Sequence, residues 1–318
     1  MHRRDPSPRL GVMSNDERPA PGHGHGHGPH ASAHIDWEVF GPVLEQGADL
    51  HTPVHEQAAV WLGELLMAQG GAGSEGVRRV LDIGSGPGVV SCLLARAFPA
   101  AEVVAVDANE ALLERARGRA GRLGLGDRVR THLAELPDGL DALGGADLIW
   151  ASKALHHVGD QRAAVAALAG HLRPGGLLAV AEGGLAARYL PRDIGIGRPG
   201  LQARLDAAGE AWFTEMRTAL PDAADDIEDW PALLADAGLC TPCSRSFLLD
   251  LPAPLSAEAR AYVQETLTRG LDLYGDRLDE DDFTTLARLT DPDDAAGITR
   301  RPDTFVLSAQ TVHTARAQ

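Results

Sequence analysis

Two acids and three glycines in the first third of the chain carry the most chemical information. Val80-Leu-Asp-Ile-Gly-Ser-Gly-Pro-Gly88 reads as a buried strand, a glycine turn and the opening of a helix. Val103-Val-Ala-Val-Asp107 reads as a second buried strand that ends on a carboxylate. Glycine at such positions lets the backbone approach a ligand where a Cβ would collide with it. A carboxylate about twenty residues past the turn can accept hydrogen bonds from both hydroxyls of a ribose. The unit predicts a nucleotide-type pocket at the carboxyl edge of a parallel sheet.

The turn also says which nucleotide is disfavoured. A dinucleotide fingerprint needs a third glycine three positions past the second, and counting from Gly86 that position is Val89. Asp82, at the strand end, suits a ligand bearing an ammonium group and would repel a diphosphate. A nucleotide-dependent oxidoreductase is therefore the weaker alternative.

Val80–Gly88 and Val103–Asp107 resemble the first two motifs of the class I S-adenosylmethionine-dependent methyltransferases. Ala146-Asp-Leu-Ile-Trp-Ala-Ser-Lys-Ala-Leu-His-His-Val158 is similar to their fourth strand and the helix after it. Leu172-Arg-Pro-Gly-Gly-Leu-Leu-Ala-Val-Ala-Glu182 is similar to the helix end, turn and fifth strand. The resemblance implies an α/β fold: a Rossmann-like, doubly wound, seven-stranded sheet with its last strand antiparallel. It implies S-adenosyl-L-methionine as cofactor. Asp82 would sit near the ammonium, with Gly84, Ser85, Gly86 and Gly88 around the methionine portion. Asp107 would take the ribose and Ala108 would lie beside the adenine, with Leu133, Ala134 and Ser152 completing the set. Leu133 departs from the family, which often has an acid there. Either Leu133 contributes only its backbone, or Glu135 reaches in from two positions on.

The acceptor side is less constrained. Trp150-Ala-Ser-Lys153 lacks the Asp/Asn-Pro-Pro stretch of DNA and protein-amide methyltransferases, and the acid of the magnesium-dependent catechol type. What remains resembles the small-molecule group, with the ubiquinone-biosynthesis and trans-aconitate types nearest. Methyl transfer from a sulfonium is an in-line displacement, so positioning and water exclusion supply most of the rate. His156 and His157 are the candidates for a catalytic base, since histidine titrates near neutrality. On a helix, one of the pair would face the sheet and the other the cleft. Lys153, Arg192 and Arg198 are candidates to hold an acidic acceptor, and Tyr189 and Trp212 to line an apolar pocket. No resident metal site is expected. A non-catalytic S-adenosylmethionine-binding or regulatory protein is the other alternative.

Elements must position these groups. Strands are expected near 79–83, 102–107, 128–132, 146–151 and 175–182, alternating with helices, which argues for a parallel sheet. Ser246–Asp250 and Thr304–Gln310 would supply the last two strands. Residues 1–33, with Gly22-His-Gly-His-Gly-His-Gly28, read as a disordered tail that could hold a soft metal adventitiously. Residues 34–75 should form amino-terminal helices, with Thr52 as an N-cap before Pro53. The domain proper spans 76–318, with a candidate lid at 184–226 and a helical excursion at 256–294. His51 and His55, four residues apart, are read as capping or surface residues.

Bulk properties bound the rest. The 318 residues carry a formal charge of −16, which repels phosphate backbones and anionic membranes, so neither is an expected partner. A small-molecule acceptor remains as partner, with a homodimer among the assemblies left open. No apolar run of membrane-spanning length and no secretory signal is evident, so a cytoplasmic location is expected. Cys240-Thr-Pro-Cys243 has redox or zinc spacing but lacks a second ligand pair, so it is read as incidental.

Overall fold

A computed structural model describes residues 37–68 and 76–318. The histidine–glycine run and the rest of the expected tail lie outside the described residues. Seven strands form one sheet: β1 (Arg79–Ile83), β2 (Glu102–Asp107), β3 (Val129–Leu133), β4 (Ala146–Ser152), β5 (Leu172–Arg188), β6 (Cys240–Leu251) and β7 (Val306–Arg316). Their order is β3-β2-β1-β4-β5-β7-β6. β1 to β5 run parallel, and β7 enters antiparallel between β5 and β6. The doubly wound sheet with its antiparallel last strand is thus as expected.

Central parallel strands are covered on both faces, which is why β1 and β2 read as nearly unbroken apolar runs. One face packs under α2 (Thr52–Ala68) and α3 (Val89–Ala97), with Val80, Leu148, Trp150 and Ala179 in its core. The other packs under α5 (Gln161–Gly170) and α7 (Trp230–Asp236), with Leu81, Ile149, Val165 and Leu234. α1 (Trp37–Leu50) precedes α2, and α4 (Glu110–Arg122) joins β2 to β3.

Local sequence starts most of these helices. The side chains of Asn109, Asp160 and Asp229 accept the N–H of the residue three further on, opening α4, α5 and α7. Ser256 and Asp279 do the same for α8 (Ala257–Tyr274) and α9 (Glu280–Thr290). Each such cap contributes about 1 kcal/mol.

Several boundaries differ from expectation. α2 begins at Thr52 itself, whose hydroxyl donates to the Ala48 carbonyl, because α1 leads into it through His51 with no extended residue to serve as cap. β5 runs on to Arg188, because β7 pairs with it as far as Leu307. The insertion after it therefore starts beyond residue 184, as a loop followed by α6 (Leu201–Thr218). Leu155–His157 is a single 3-10 turn rather than the opening of a helix, and α5 waits for the Asp160 cap.

Insertion and excursion are tied together by charge. Arg204 makes a two-pronged contact to Asp282, at 2.6 and 2.8 Å, and Arg277 reaches both oxygens of Glu215 at 2.7 Å. Bidentate guanidinium–carboxylate geometry fixes orientation as well as distance. α6, α8 and α9 thereby form a linked helical layer.

Candidate active site

The loop after β1 turns through three glycines with positive φ, at +65°, +53° and +74° for Gly84, Gly86 and Gly88. They differ in purpose. A Cβ at Gly88 would stand 2.5 Å from the Ala116 Cβ, and one at Gly84 equally close to the Ala154 Cβ, so these two allow packing. A Cβ at Gly86 would meet nothing within 4 Å. Gly86 borders open space, where a ligand can approach the backbone.

Asp107 ends β2 beside that loop. Its two oxygens accept the N–H groups of Gly86 and Asn109, at 2.8 and 2.9 Å, leaving further lone pairs for hydroxyl donors. Burial raises its pKa, against the opposing pull of those N–H groups. The Ser85 N–H is held by the Val106 carbonyl, while its buried hydroxyl has no partner among the described residues. Asp82 is 2 % exposed and accepts a hydrogen bond from the Ser91 hydroxyl. Burial pushes its pKa up to about 7, with a smaller contribution from the neighbouring charge of Asp107. An open glycine edge, an orphaned hydroxyl and two carboxylates suit a ligand with a ribose and an ammonium. The donor set fits S-adenosylmethionine.

Leu133 ends β3 in register with Asp107 and is largely exposed, and the Ala134 N–H donates to the Asp107 carbonyl. Glu135 is exposed on the same rim. At the end of β4, the Ser152 hydroxyl accepts from the Gln310 amide of β7 at 3.1 Å.

The second half of the site centres on Glu182 of β5, 6 % exposed. One oxygen accepts the N–H groups of Ala154 and Leu155, at 2.9 and 3.0 Å. The other lies 2.9 Å from Nδ1 of His156. The two histidines are thus not equivalent. His156 has a carboxylate partner, while His157 stands at the solvent edge with its ring 4.2 Å away. The Phe213 ring of α6 lies 5.6 Å from that of His156. Arg217 of the same helix donates to the carbonyls of His156 and Val158. A cavity of about 730 Å3 opens beside Glu182, lined also by Gly184, Asp229, Trp230 and His313.

Other expected residues sort differently. Arg198 is engaged by Asp279, the cap of α9, and by Asp281 and Asp282 in its first turn, so its charge is spent within the helical layer instead of on a substrate. Tyr189 is 7 % exposed with its hydroxyl bonded to Tyr262 and Thr266, which makes it part of the core beneath that layer. Trp212 is half-buried on α6, and Arg192 is exposed in the loop before it. His55 is no surface residue: it is 8 % exposed, edge-on to Trp150 at 6.2 Å. The Cys240 and Cys243 thiols are free on β6.

Residues 81–178 match the family model described as a methyltransferase domain. A trans-aconitate 2-methyltransferase of Methylobacterium radiotolerans is 32% identical over 217 residues, spanning 62% of this chain and 79% of that protein. The chain belongs to the class I S-adenosylmethionine-dependent methyltransferases. Other curated relatives of the enzyme are matched over less of their length. An uncharacterized methyltransferase of Mycobacterium tuberculosis is 39% identical over 106 residues, covering 33% of this chain and 50% of that one. An uncharacterized Synechococcus protein is matched at 39% over 31% of this chain and 24% of its own length. Among solved structures, mitomycin 7-O-methyltransferase is 19% identical, with a TM-score of 0.41, covering 84% of this chain and 54% of that one.

Glu182 and Gln310 are the site residues that motif reading missed. Glu182 had a signal, because a lone acid closing an apolar strand is the pattern that marked Asp82 and Asp107. Gln310 had none: its role depends on β7 threading between β5 and β6. Among the described residues, no helix is long and apolar enough to cross a membrane.

Proposed function

We propose that this methyltransferase acts on a protic oxygen of a small-molecule acceptor, with His156 as the base and Glu182 as its positioning residue. The observation that carries the reading is the 2.9 Å contact between Glu182 and Nδ1 of His156. A carboxylate can only accept, so Nδ1 carries the proton and Nε2 presents its lone pair. Carboxylate-oriented imidazoles of this kind take protons from hydroxyl nucleophiles.

S-adenosylmethionine, when bound, supplies an electrophilic methyl group on a sulfonium. Asp107 would hold its ribose, Gly86 and Ser85 its backbone-facing side, and Asp82 its ammonium. Phe213 and Arg217 of α6 rest on the turn that carries His156, so the helical layer both shields the base from water and fixes its direction. The Methylobacterium relative is named for a small organic acid, which supports an acceptor of that size.

The test is the pH dependence of kcat for wild-type and His156→Ala. A base removed from a hydroxyl acceptor costs about 10²- to 10⁴-fold. The loss should shrink at high pH, where the acceptor's own hydroxyl ionises and no base is needed. A loss that is equal at every pH, or absent, overturns the base role.

A further inference from the structure

The two halves of α6 are held differently. Leu201, Gln202, Leu205 and Ala208 of its first half are buried, whereas no residue from 209 to 218 is. The halves meet at Gly209, where a methyl group would find ordinary contact with the Tyr274 ring at 3.5 Å. Packing does not demand glycine there, and the helix is weaker at that point than alanine would make it. A segment with few buried contacts opens at lower free energy than the core it leaves. The second half is held through Glu215 on Arg277, through Phe213 against the His156 ring, and through Arg217.

Arg217 reaches a turn that is otherwise pinned only from the sheet. The chain leaves β4 through Lys153, an exposed residue with a left-handed φ of 50°, whose N–H donates to the Ala181 carbonyl at 3.1 Å. Glu182 then holds the N–H groups of Ala154 and Leu155. On the outer side the grip comes from the insertion. One guanidinium nitrogen of Arg217 donates to the carbonyls of His156 and Val158, at 3.0 and 2.5 Å. Phe213, four residues earlier, lies on the same helix face and meets the His156 ring. Just beyond, the Ala224 N–H donates to the Gly159 carbonyl at 3.1 Å. A Cβ on Gly159 would stand 1.9 Å from the Pro221 carbonyl oxygen, so the segment leaving α6 lies backbone to backbone on the end of the turn.

We infer that the second half of α6 is a clamp that completes the base, with Arg217 as its positioning residue. This rests on the reading of His156 as the base. Glu182 fixes one ring atom of His156, and a single contact leaves the ring free to tilt about it. Arg217 fixes the backbone on both sides of His157, and Phe213 closes one side of the His156 ring. With the clamp in place, Nε2 of His156 has one direction. With the second half of α6 lifted, the two carbonyls lose their donor and His156 is held by Glu182 alone. A misplacement of about 1 Å can cost about 10²-fold in rate, so lifting the clamp disengages the base. Opening the layer that shields His156 therefore also switches it off. Arg217 acts only through His156 and makes or breaks no bond in the reaction.

Two readouts separate positioning from a merely structural role. The first uses full-length protein with 15N-labelled histidine, saturated with S-adenosylhomocysteine and held above the pH range in which imidazole protonates. Wild-type His156 should show the Nδ1–H tautomer alone, with His156→Ala identifying its resonance. Arg217→Ala should give a mixture of tautomers, and Arg217→Lys, which keeps a charged donor, should restore most of the single form. An unchanged tautomer in Arg217→Ala overturns the clamp. The second readout is a double-mutant cycle on label transfer from methyl-labelled S-adenosylmethionine into a deproteinised metabolite extract. Arg217→Ala should slow transfer about 10- to 100-fold in otherwise wild-type enzyme, but less than about twofold in His156→Ala, because residues that act as a unit are not additive. An equal loss in both backgrounds, or no loss in the first, overturns the clamp. Unchanged S-adenosylhomocysteine affinity shows that Arg217→Ala is folded, and Arg217→Gln runs the same cycle if it is not. A full rate in His156→Ala overturns the base reading itself, which is a separate result.

Discussion

Glu182 and His156 lie 2.9 Å apart, Oε2 to Nδ1, one near the carboxyl end of the fifth strand and the other on the turn after the fourth. The other Glu182 oxygen accepts two backbone N–H groups of that same turn. One carboxylate thus shapes the backbone that carries the base and sets the base's tautomer.

Glu182→Gln keeps an oxygen for the turn's N–H groups but no longer offers two equivalent acceptors. It should lower kcat about 10- to 100-fold while leaving S-adenosylhomocysteine affinity, measured by calorimetry, within about twofold. Equal kcat for the variant and the wild type would reduce the contact to a structural one.

Asp82 makes stability and cofactor binding pull in opposite directions. Burial pushes its pKa up to about 7 in the folded protein, from an ordinary value of 3.8. Below that lower value the group is protonated in both states. As pH rises towards about 7 the unfolded chain ionises first, so the folded state loses stability progressively. Asp82→Asn should therefore raise Tm more at about pH 8 than at about pH 5. The same substitution should weaken S-adenosylhomocysteine binding, because the ammonium loses its charged partner. Wild-type binding near neutrality should release protons, which calorimetry in buffers of different ionisation enthalpy detects.

Asp107→Ala removes the acceptor proposed for both ribose hydroxyls. Hydrogen bonds to a charged group are worth about 1.5–3 kcal/mol each, so Kd for S-adenosylhomocysteine should rise at least about tenfold. An unchanged Kd would place the ribose elsewhere.

Gly86→Ala and Gly88→Ala should fail differently. Both carry about 1–2 kcal/mol of left-handed backbone strain. At residue 88 the new methyl group also meets Ala116 at 2.5 Å, so Tm should fall further there. At residue 86 the methyl enters open space, and loss of cofactor affinity should exceed loss of stability. Thermal melts with and without S-adenosylhomocysteine separate the two.

The sheet was legible because its strands obey a local rule: apolar runs closed by acids and glycine turns. β1, β2 and β4 begin and end within one residue of expectation. β5, β6 and β7 extend beyond it because their lengths are set by pairing with each other, which no single segment encodes. In the site, Asp82, Gly86 and Asp107 came from one contiguous motif. The partner of His156 did not. Glu182 is 26 residues from His156 and meets it only because β5 pairs with β4. Arg198 shows the converse error: its charge looked available until three acids, some eighty residues on, were folded against it.

The most direct test incubates the enzyme with methyl-labelled S-adenosylmethionine and a deproteinised metabolite extract, then measures label in the filtrate by mass spectrometry. Wild-type enzyme should place label on a small metabolite, and His156→Ala should deplete that product. Tight S-adenosylhomocysteine binding with no labelled metabolite, or label recovered only on macromolecules, would contradict the account.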